Sequence, residues 1–600
     1  MTYEENNFYR TNSIFIISLS AVSAADNTTI KTNDHTDNIK TDDITINLEK
    51  TSQSENNDGY KTYEEFKKAI ETSKEGDTIK LGSNIKLKDT LNIKTNKITI
   101  DGQGHTIDGD EDYRIFYIPA NYVTIQNLKL INWDCDEGAA IYADKYLTVK
   151  KCEFTNNKAS DRGGAIFNYN GNLDISDSMF KNNRASGTWG RDQYGGAIYS
   201  NGDLRVSNCN FTKNKAKTDG GAIYADAKVT ATSSIFIINE AAGASSQCYA
   251  GAIYCTNIDC DKCIFDNNHA YDYGGAIYIN NKGKSTIKNS KFTNNKADDY
   301  NGGAIYSKKN IEVYNSLFKN NQANNSWSPS TSQGGAIYCG TITCNNCTFE
   351  NNKAKKYAGA IYINDKEVST IKNSKFINNT SPFNGGAINA NGKLIVESSI
   401  FKNNKADHFG GALEPYENGG AIFCLNIDCN NSTFENNYAE SYGGAIFIKN
   451  EGKSTIKNSK FINNTAKLNG GAIYCASINC KNSTFKENYA SQRGGAIHIN
   501  NKGLSVIENS KFIDNEACQK GGAINIDDTS AHVVIKNNSF KGNTVDKEDG
   551  EGSIIYNYGH YDKISNNYYG TNNPDWKNAL YEHKYFGLDV EHRDSNPVKL

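Results

Sequence analysis

The stretch Gly274-Gly275-Ala276-Ile277-Tyr278, followed by Phe292-Thr293-Asn294-Asn295, carries the pattern that decides the fold of this 600-residue chain. Its first half returns as Gly163-Gly164-Ala165-Ile166, Gly195-Gly196-Ala197-Ile198 and Gly220-Gly221-Ala222-Ile223, and runs on to Gly521-Gly522-Ala523-Ile524. Its second half, Phe-x-x-Asn, runs from Phe154/Asn157 through Phe265/Asn268 and Phe401/Asn404 to Phe540/Asn543. Successive copies lie about 24–32 residues apart, the period of stacked-repeat architectures.

One unit parses by the two-residue period of strands. Ile277 and Ile279 point one way and Tyr278 the other, and Ile287 shares the inward side with Phe292. The slot of Ile279 takes Ile363, Ile448, Ile499, Cys255, Cys339, Ala225 and Ser307, all small or apolar. The slot of Tyr278 accepts Phe, His498 and Asn525, a tolerance expected of an outward face. A coil this short hides its apolar side only by stacking in register, with strands about 4.8 Å apart. Roughly sixteen coils predict a rod on the order of 80 Å long. Gly-Gly suits φ > 0 and close approach of neighbouring coils, and the Asn of Phe-x-x-Asn suits a left-handed corner with amides bonding up and down the stack. The predicted fold is all-β: a single right-handed parallel β-helix with an N-terminal capping helix.

Composition agrees. With 65 basic and 68 acidic side chains and no basic run, a nucleic-acid groove is not expected. Arg10, the apolar run Ser13–Leu19 and Val22-Ser23-Ala24 read as a signal peptide over 1–25. Residues 26–58, rich in Asn, Thr, Asp and Ser, read as a disordered leader. Phe66, Ala69 and Ile70 have helical spacing in a cap that, with the first coils, fills 59–137. The repeat proper occupies 138–565, and 566–600 form a C-terminal cap or tail. No later apolar run approaches a membrane span.

Gly-Gly-Ala-Ile with Phe-x-x-Asn resembles the polymorphic outer membrane protein repeat of chlamydial adhesins. It is also similar to the adhesin-like surface proteins of methanogenic archaea, which add a pectate-lyase-like cap. The matching cap residues are Ala69-Ile70, Gly76-Asp77-Thr78-Ile79 and Ile98 to Gly104, and Asn566-Asn567-Tyr568-Tyr569-Gly570 looks like the terminal signature of the archaeal group. The resemblance implies a secreted or surface protein that binds glycans or proteins of host or neighbouring cells. Members often continue into a β-barrel or wall-binding segment, whereas this sequence stops at Leu600.

Four features are candidates for chemistry. Of fifteen cysteines, pairs recur as Cys255/Cys260, Cys339/Cys344, Cys424/Cys429 and Cys475/Cys480. No His is interleaved, so zinc is not expected. Export favours a disulfide within each pair and an anaerobic habitat favours free thiols; the expectation adopted is four bridges. The carboxylates Asp298-Asp299, Asp259/Asp261 and Asp527-Asp528, with His269, His408, His498 and His532, are dispersed without evident partners. A polysaccharide lyase or hydrolase, the alternative on this scaffold, needs such groups clustered. The third feature is an outward aromatic row of Tyr142, Phe167, Tyr199, Tyr224, Tyr254, Tyr278, Tyr306, Tyr338 and Tyr362, resumed at Phe423, Phe447 and Tyr474. Such a row is either a structural ladder or an exposed binding strip. The fourth is the longer inter-coil segments, two of which carry Trp189 and Trp327. The reading is a monomeric, non-catalytic binding protein without cofactor, with a passive structural rod as the other alternative.

Overall fold

The computed structural model describes residues 59–582, except 110–112, 133, 188–192, 244–246, 281, 325–331, 408–417, 450–453, 501–502, 530, 547–551, 560–562 and 571–579. The expected signal peptide and leader, Trp189, Trp327, His408 and the tail past 582 lie outside the described residues.

A helix spans Tyr63–Glu71. Thr62 starts it with a capping box, its hydroxyl accepting from Glu65 N while the Glu65 carboxylate accepts from Thr62 N. The helix buries Tyr63, Phe66 and Ile70 and packs beside strands Thr78–Lys80 and Leu91–Asn92. From there the chain coils. Each repeat contributes four short strands, and each strand pairs in parallel with its counterparts one coil before and after. In the unit quoted above, the first strand pairs Tyr278 with Tyr306, the second Ile287 with Val313, the third Phe292 with Phe318 and the fourth Ala297 with Ala323. The ladder of fourth strands is 16-stranded. In two coils the first and second strands fuse, as Ile388–Glu397 and Ile422–Asn430. The parallel β-helix predicted from the repeat is observed.

The core is a set of columns. Ile277, Ile279, Ile287 and Phe292 are fully buried. Phe rings stack from Phe154 to Phe540, with centroids 4.6 Å apart at Phe154–Phe180 and 4.9 Å at Phe512–Phe540. Burying each such ring stabilises by about 1.5–3 kcal/mol, and stacking adds about 0.5–1.5 kcal/mol per pair.

Corners explain the turn residues, with one correction. The bend between second and third strands turns on Asn289 (φ 48°), and that between third and fourth on Asn294 (φ 55°). The left-handed residue is therefore the one before the Asn of Phe-x-x-Asn, not that Asn itself. Asn295 is buried instead. Its Nδ2 donates to Asn321 Oδ1 and to Phe265 O, both at 3.0 Å, and its backbone N donates to Asn321 Oδ1 at 3.1 Å. The same contacts repeat from Asn157/Asn183 to Asn515/Asn543. A buried amide is tolerated only when its polar atoms are bonded, and a regular stack supplies those partners at every step. The glycine pair behaves as expected: Gly274 has φ 65°, and a Cβ on Gly275 would sit 2.1 Å from Gly303 O. Chain length varies at the remaining corners, before the glycine pair and after the first strand. The outer face of the first ladder therefore lies between the two variable corners.

Candidate binding face

That outer face carries the aromatic row. The stack brings together all the predicted tyrosines: Tyr199–Tyr224 at 5.1 Å between centroids, Tyr224–Tyr254 at 4.5 Å, Tyr254–Tyr278 and Tyr278–Tyr306 at 5.0 Å, Tyr306–Tyr338 at 4.9 Å and Tyr338–Tyr362 at 5.2 Å. Asn389 interrupts it, and it resumes through Phe423, Phe447 and Tyr474. The rings face outward and form the stacked ladder that was one of the two alternatives read from the sequence, and several of them are nearly covered. Tyr199 and Tyr278 are only 4% exposed and Tyr362 only 7%.

A second row covers them. The residue before the glycine pair of one coil lies over the ring of the next coil. Tyr194 stacks on Tyr224 at 4.5 Å and Tyr249 on Tyr278 at 4.7 Å, while Tyr273 lies 4.8 Å from Tyr306 and Tyr442 4.7 Å from Tyr474. Cations take the same place elsewhere: Arg162 is 5.4 Å from the Tyr199 ring and Lys520 4.1 Å from the Tyr556 ring. The outer tyrosines are half-buried, as are the inner Tyr224, Tyr254, Tyr306 and Tyr338, while Tyr199, Tyr278 and Tyr362 are buried. Sequence reading passed over the outer row although its signal, an aromatic or basic residue just ahead of Gly-Gly, recurs.

Carboxylates break the outer row. Asp219 occupies it between Tyr194 and Tyr249 and accepts from Tyr249 N at 2.8 Å. Burial pushes its carboxyl up to about 7. Asp272 accepts from Cys248 N at 2.7 Å and is pushed up to about 6, again chiefly by burial. The exposed Asp226 accepts from Tyr199 OH at 2.8 Å and Tyr224 OH at 3.1 Å. Burial, with these carboxylates and neighbouring phenols, raises the phenols of Tyr224, Tyr254 and Tyr278.

Further along, His498 replaces the aromatic ring, stacked 4.9 Å from Tyr474. Its Nδ1 is 3.1 Å from Asn525 Nδ2 and its Nε2 is 3.6 Å from Asp527 Oδ2, which Arg493 Nη1 meets at 2.6 Å. Burial holds the imidazole down to about 4, so it is neutral at pH 7. His269 also has a partner, Asp298, at 2.7 Å, and neither histidine is isolated as the sequence reading held. The imidazole of His498 is buried and Asp527 is held by Arg493, so this group fills a gap in the row rather than facing a substrate. Among the described residues no cluster of three or more His, Cys, Asp or Glu is arranged to hold a metal, and no helix is long and apolar enough to cross a membrane.

The four expected disulfides are not formed: Cys255, Cys260, Cys339, Cys344, Cys424, Cys429, Cys475 and Cys480 are buried free thiols. Their sulfurs engage the next coil instead of each other. Cys255 Sγ lies 3.9 Å from Tyr278 O and Cys475 Sγ 3.6 Å from His498 O. Cys260, Cys344 and Cys429 Sγ lie 3.6, 3.8 and 3.7 Å from the hydroxyls of Ser290, Ser374 and Ser459. Burial pushes the Cys429 and Cys480 thiols up to about 12, which keeps them protonated and inert.

The family model described as "Right handed beta helix region" matches residues 89–257, 250–406, 384–540 and 423–597. The chain belongs to that family. This right-handed β-helix is 26% identical over 299 residues to probable outer membrane protein pmp7 of Chlamydia pneumoniae, covering 41% of this chain and 32% of that protein. It is 30% identical over 255 residues to the probable autotransporter YfaL of Escherichia coli, covering 38% of this chain and 19% of the relative. Probable outer membrane protein PmpF of Chlamydia trachomatis is 26% identical over 348 residues, covering 53% of this chain and 30% of the relative. The β-helix thus spans about a third or less of these curated relatives. They support a surface or secreted location. Among solved structures, the PL6 family alginate lyase AlyGC aligns over 90% of this chain and 99% of its own, at 11% identity and a TM-score of 0.26, too low to carry an argument.

Proposed function

We propose that this β-helix is a surface-displayed or secreted, adhesin-like protein that binds through the two-row aromatic face and does no catalysis. The observation that carries the reading is the outer tyrosine row, Tyr194, Tyr249, Tyr273 and Tyr442: half-buried rings, the first two stacked and the last two tilted against the inner row, on the face between the two variable corners. Rings fixed this way lose little entropy on binding, which suits recognition of a flat sugar or a protein side chain. The relatives named above and the export signal read at residues 1–25 support the location. The partners proposed are glycans or proteins of host or neighbouring cells, met by a monomer. The finer likeness to surface proteins of methanogenic archaea belongs to the same proposal and rests on the cap and on Asn566 to Gly570.

The test is a glycan and protein array probed with the full chain, beside a polysaccharide panel assayed for new reducing ends or unsaturated products. Array binding that weakens in Tyr249→Ala and Tyr273→Ala is expected. Turnover of any polysaccharide would overturn the non-catalytic reading, and a silent array would favour a passive rod.

A further inference from the structure

Resting on the surface or secreted location supported above, we propose that six exposed corner asparagines are acceptors for N-linked glycans: Asn346, Asn378, Asn431, Asn463, Asn482 and Asn537. Each begins a complete Asn-x-Ser/Thr triplet, from Asn346-Cys347-Thr348 to Asn537-Asn538-Ser539, and no middle residue is proline. Asn346, Asn431, Asn482 and Asn537 turn the corner between second and third strands, with φ between 50° and 58°. Asn378 and Asn463 turn the corner between third and fourth strands, at φ 54° and 51°. All six asparagines are exposed, and the Ser or Thr two positions on is half-buried in every case.

The repeat puts Asn at these corners, but it does not make the triplet. In other coils the slot two residues after the first of these corners holds Lys291, Leu317, Lys375, Ile400, Lys460 and Lys511, so a hydroxyl there belongs to particular coils. Those coils are spaced. Asn373 and Ser398 separate Asn346 from Asn431 along the corner ladder, Asn458 separates Asn431 from Asn482, and Asn509 separates Asn482 from Asn537. Acceptors at that corner are thus at least two coils apart, about 9.6 Å at a step of about 4.8 Å. The coils of Asn378 and Asn463 carry Lys375 and Lys460 after their other corner, so no coil has an acceptor at both. The two corners lie at the ends of the third strand and neither borders the aromatic face. Glycans there clothe another side of the coil and leave the aromatic face open.

The linkage forms without a change of redox state. The asparagine Nδ2 attacks the anomeric carbon of an oligosaccharide carried on a lipid phosphate, with a transferase of the export membrane as catalyst. The C–O bond to the phosphate breaks, the lipid phosphate leaves, and Nδ2 loses one proton and keeps the other. The stack accommodates that loss. Asn346 Nδ2 donates one N–H to Asn315 Oδ1 at 3.0 Å, and Asn463 Nδ2 one to Asn436 Oδ1 at 2.9 Å. The second N–H of each is the one replaced. The chain also holds a counter-case. Asn379-Thr380-Ser381 is a complete triplet, yet Asn379 is fully buried and its Nδ2 donates to both Asn404 Oδ1 and Phe349 O at 3.0 Å. A sugar there would break the buried ladder, so Asn379 stays bare. Asn210, set within the strand Asn210–Thr212, and Asn430, whose triplet overlaps that of Asn431, are not assigned.

The experiment maps the full chain, purified from the cells that make it, by intact mass and by electron-transfer sequencing of its glycopeptides. Expected is a mass above that of the bare chain, with sugar on the six assigned asparagines. Asn379 should be bare, as should the exposed corner residues Asn373, Asn458 and Asn509, each followed two positions on by Lys. In the same cells Thr484→Val should abolish the addition at Asn482 alone, and Thr484→Ser should retain it. That slot already holds Leu317 and Ile400 in other coils, and sugar kept at the other five sites shows that the variant is still made and exported. No sugar at any of the six, equal occupancy at Asn373 or Asn379, or an Asn482 still fully modified in Thr484→Val overturns the assignment. Array binding by the aromatic face is a separate readout, so a bare chain that binds its ligand loses the glycans and keeps the adhesin-like reading.

Discussion

The coils from Tyr194 to Tyr306 and those from Asn469 to Tyr556 share one backbone and differ in what lies on their outer face. In the first region the covering row is Tyr194, Asp219, Tyr249 and Tyr273, aromatic with an acidic break. In the second it is Asn469, Arg493 and Lys520, with Arg493 tied to Asp527 at 2.6 Å and Lys520 over Tyr556 at 4.1 Å. The second region pairs Arg493 with Asp527 and lays Lys520 over a ring, whereas the first carries half-buried tyrosine rings and the Asp219 carboxylate. A repeat thus supplies identical geometry everywhere, and single covering residues decide what its outer face carries.

The largest effect expected is one that the two regions share. Phe292→Ala and Phe485→Ala each remove a ring from the same column and should each cost about 3–5 kcal/mol, read from denaturant midpoints. Unequal costs would break the premise of equal scaffolding.

Next, the two regions should answer pH with opposite sign. The Asp219 carboxyl sits at about 7 when folded against an ordinary 3.8, so the folded state holds its proton more tightly. Its contribution is most favourable at low pH and is lost as pH rises through about 7. His498 sits at about 4 against an ordinary 6.5. Its contribution is full above 6.5 and is lost as pH falls toward 4. Hydrogen exchange, corrected for intrinsic rates, should show amides near Tyr249 better protected at pH 5 than at pH 8, and those near His498 the reverse. The same trend in both regions would sink the assignment.

A smaller effect is expected from Arg493→Ala, which leaves Asp527 without its cation. Arg493 is more than a third exposed, so solvent screens the pair and the loss should be about 1 kcal/mol, confined to the second region. Smallest of all is Cys263→Ser. Cys263 occupies the corner slot that holds Ser290 in the next coil and Ser432 and Ser483 further on, where the hydroxyl receives a backbone N–H from the coil before. The change makes the first region like the second there, and the melting temperature should move by no more than the equivalent of about 0.5 kcal/mol. A large loss would mean the thiol does more than fill space.

Much of this was legible in the sequence. The Ile, Phe and Gly slots repeat, so their roles follow from the period alone, and the tyrosine row follows from alternation. The left-handed corner was misplaced by one residue, because Asn serves both at a corner and in a buried ladder and only the hydrogen bonds separate Asn294 from Asn295. The cysteine pairs invited bridges because spacing along the chain says nothing of where sulfurs point; stacking turns Cys255 and Cys260 toward the next coil.

What the sequence by itself determined is the periodic part: strand, corner and column, each repeated often enough that local preference and global stacking agree. What only the tertiary structure decided is the pairing of non-equivalent slots across coils, the covering of one coil's ring by the residue before the next-lower glycine pair. That contact joins residues about 30 positions apart through a step of about 4.8 Å. No linear pattern records it, and it is the contact that lays the outer row over the inner one.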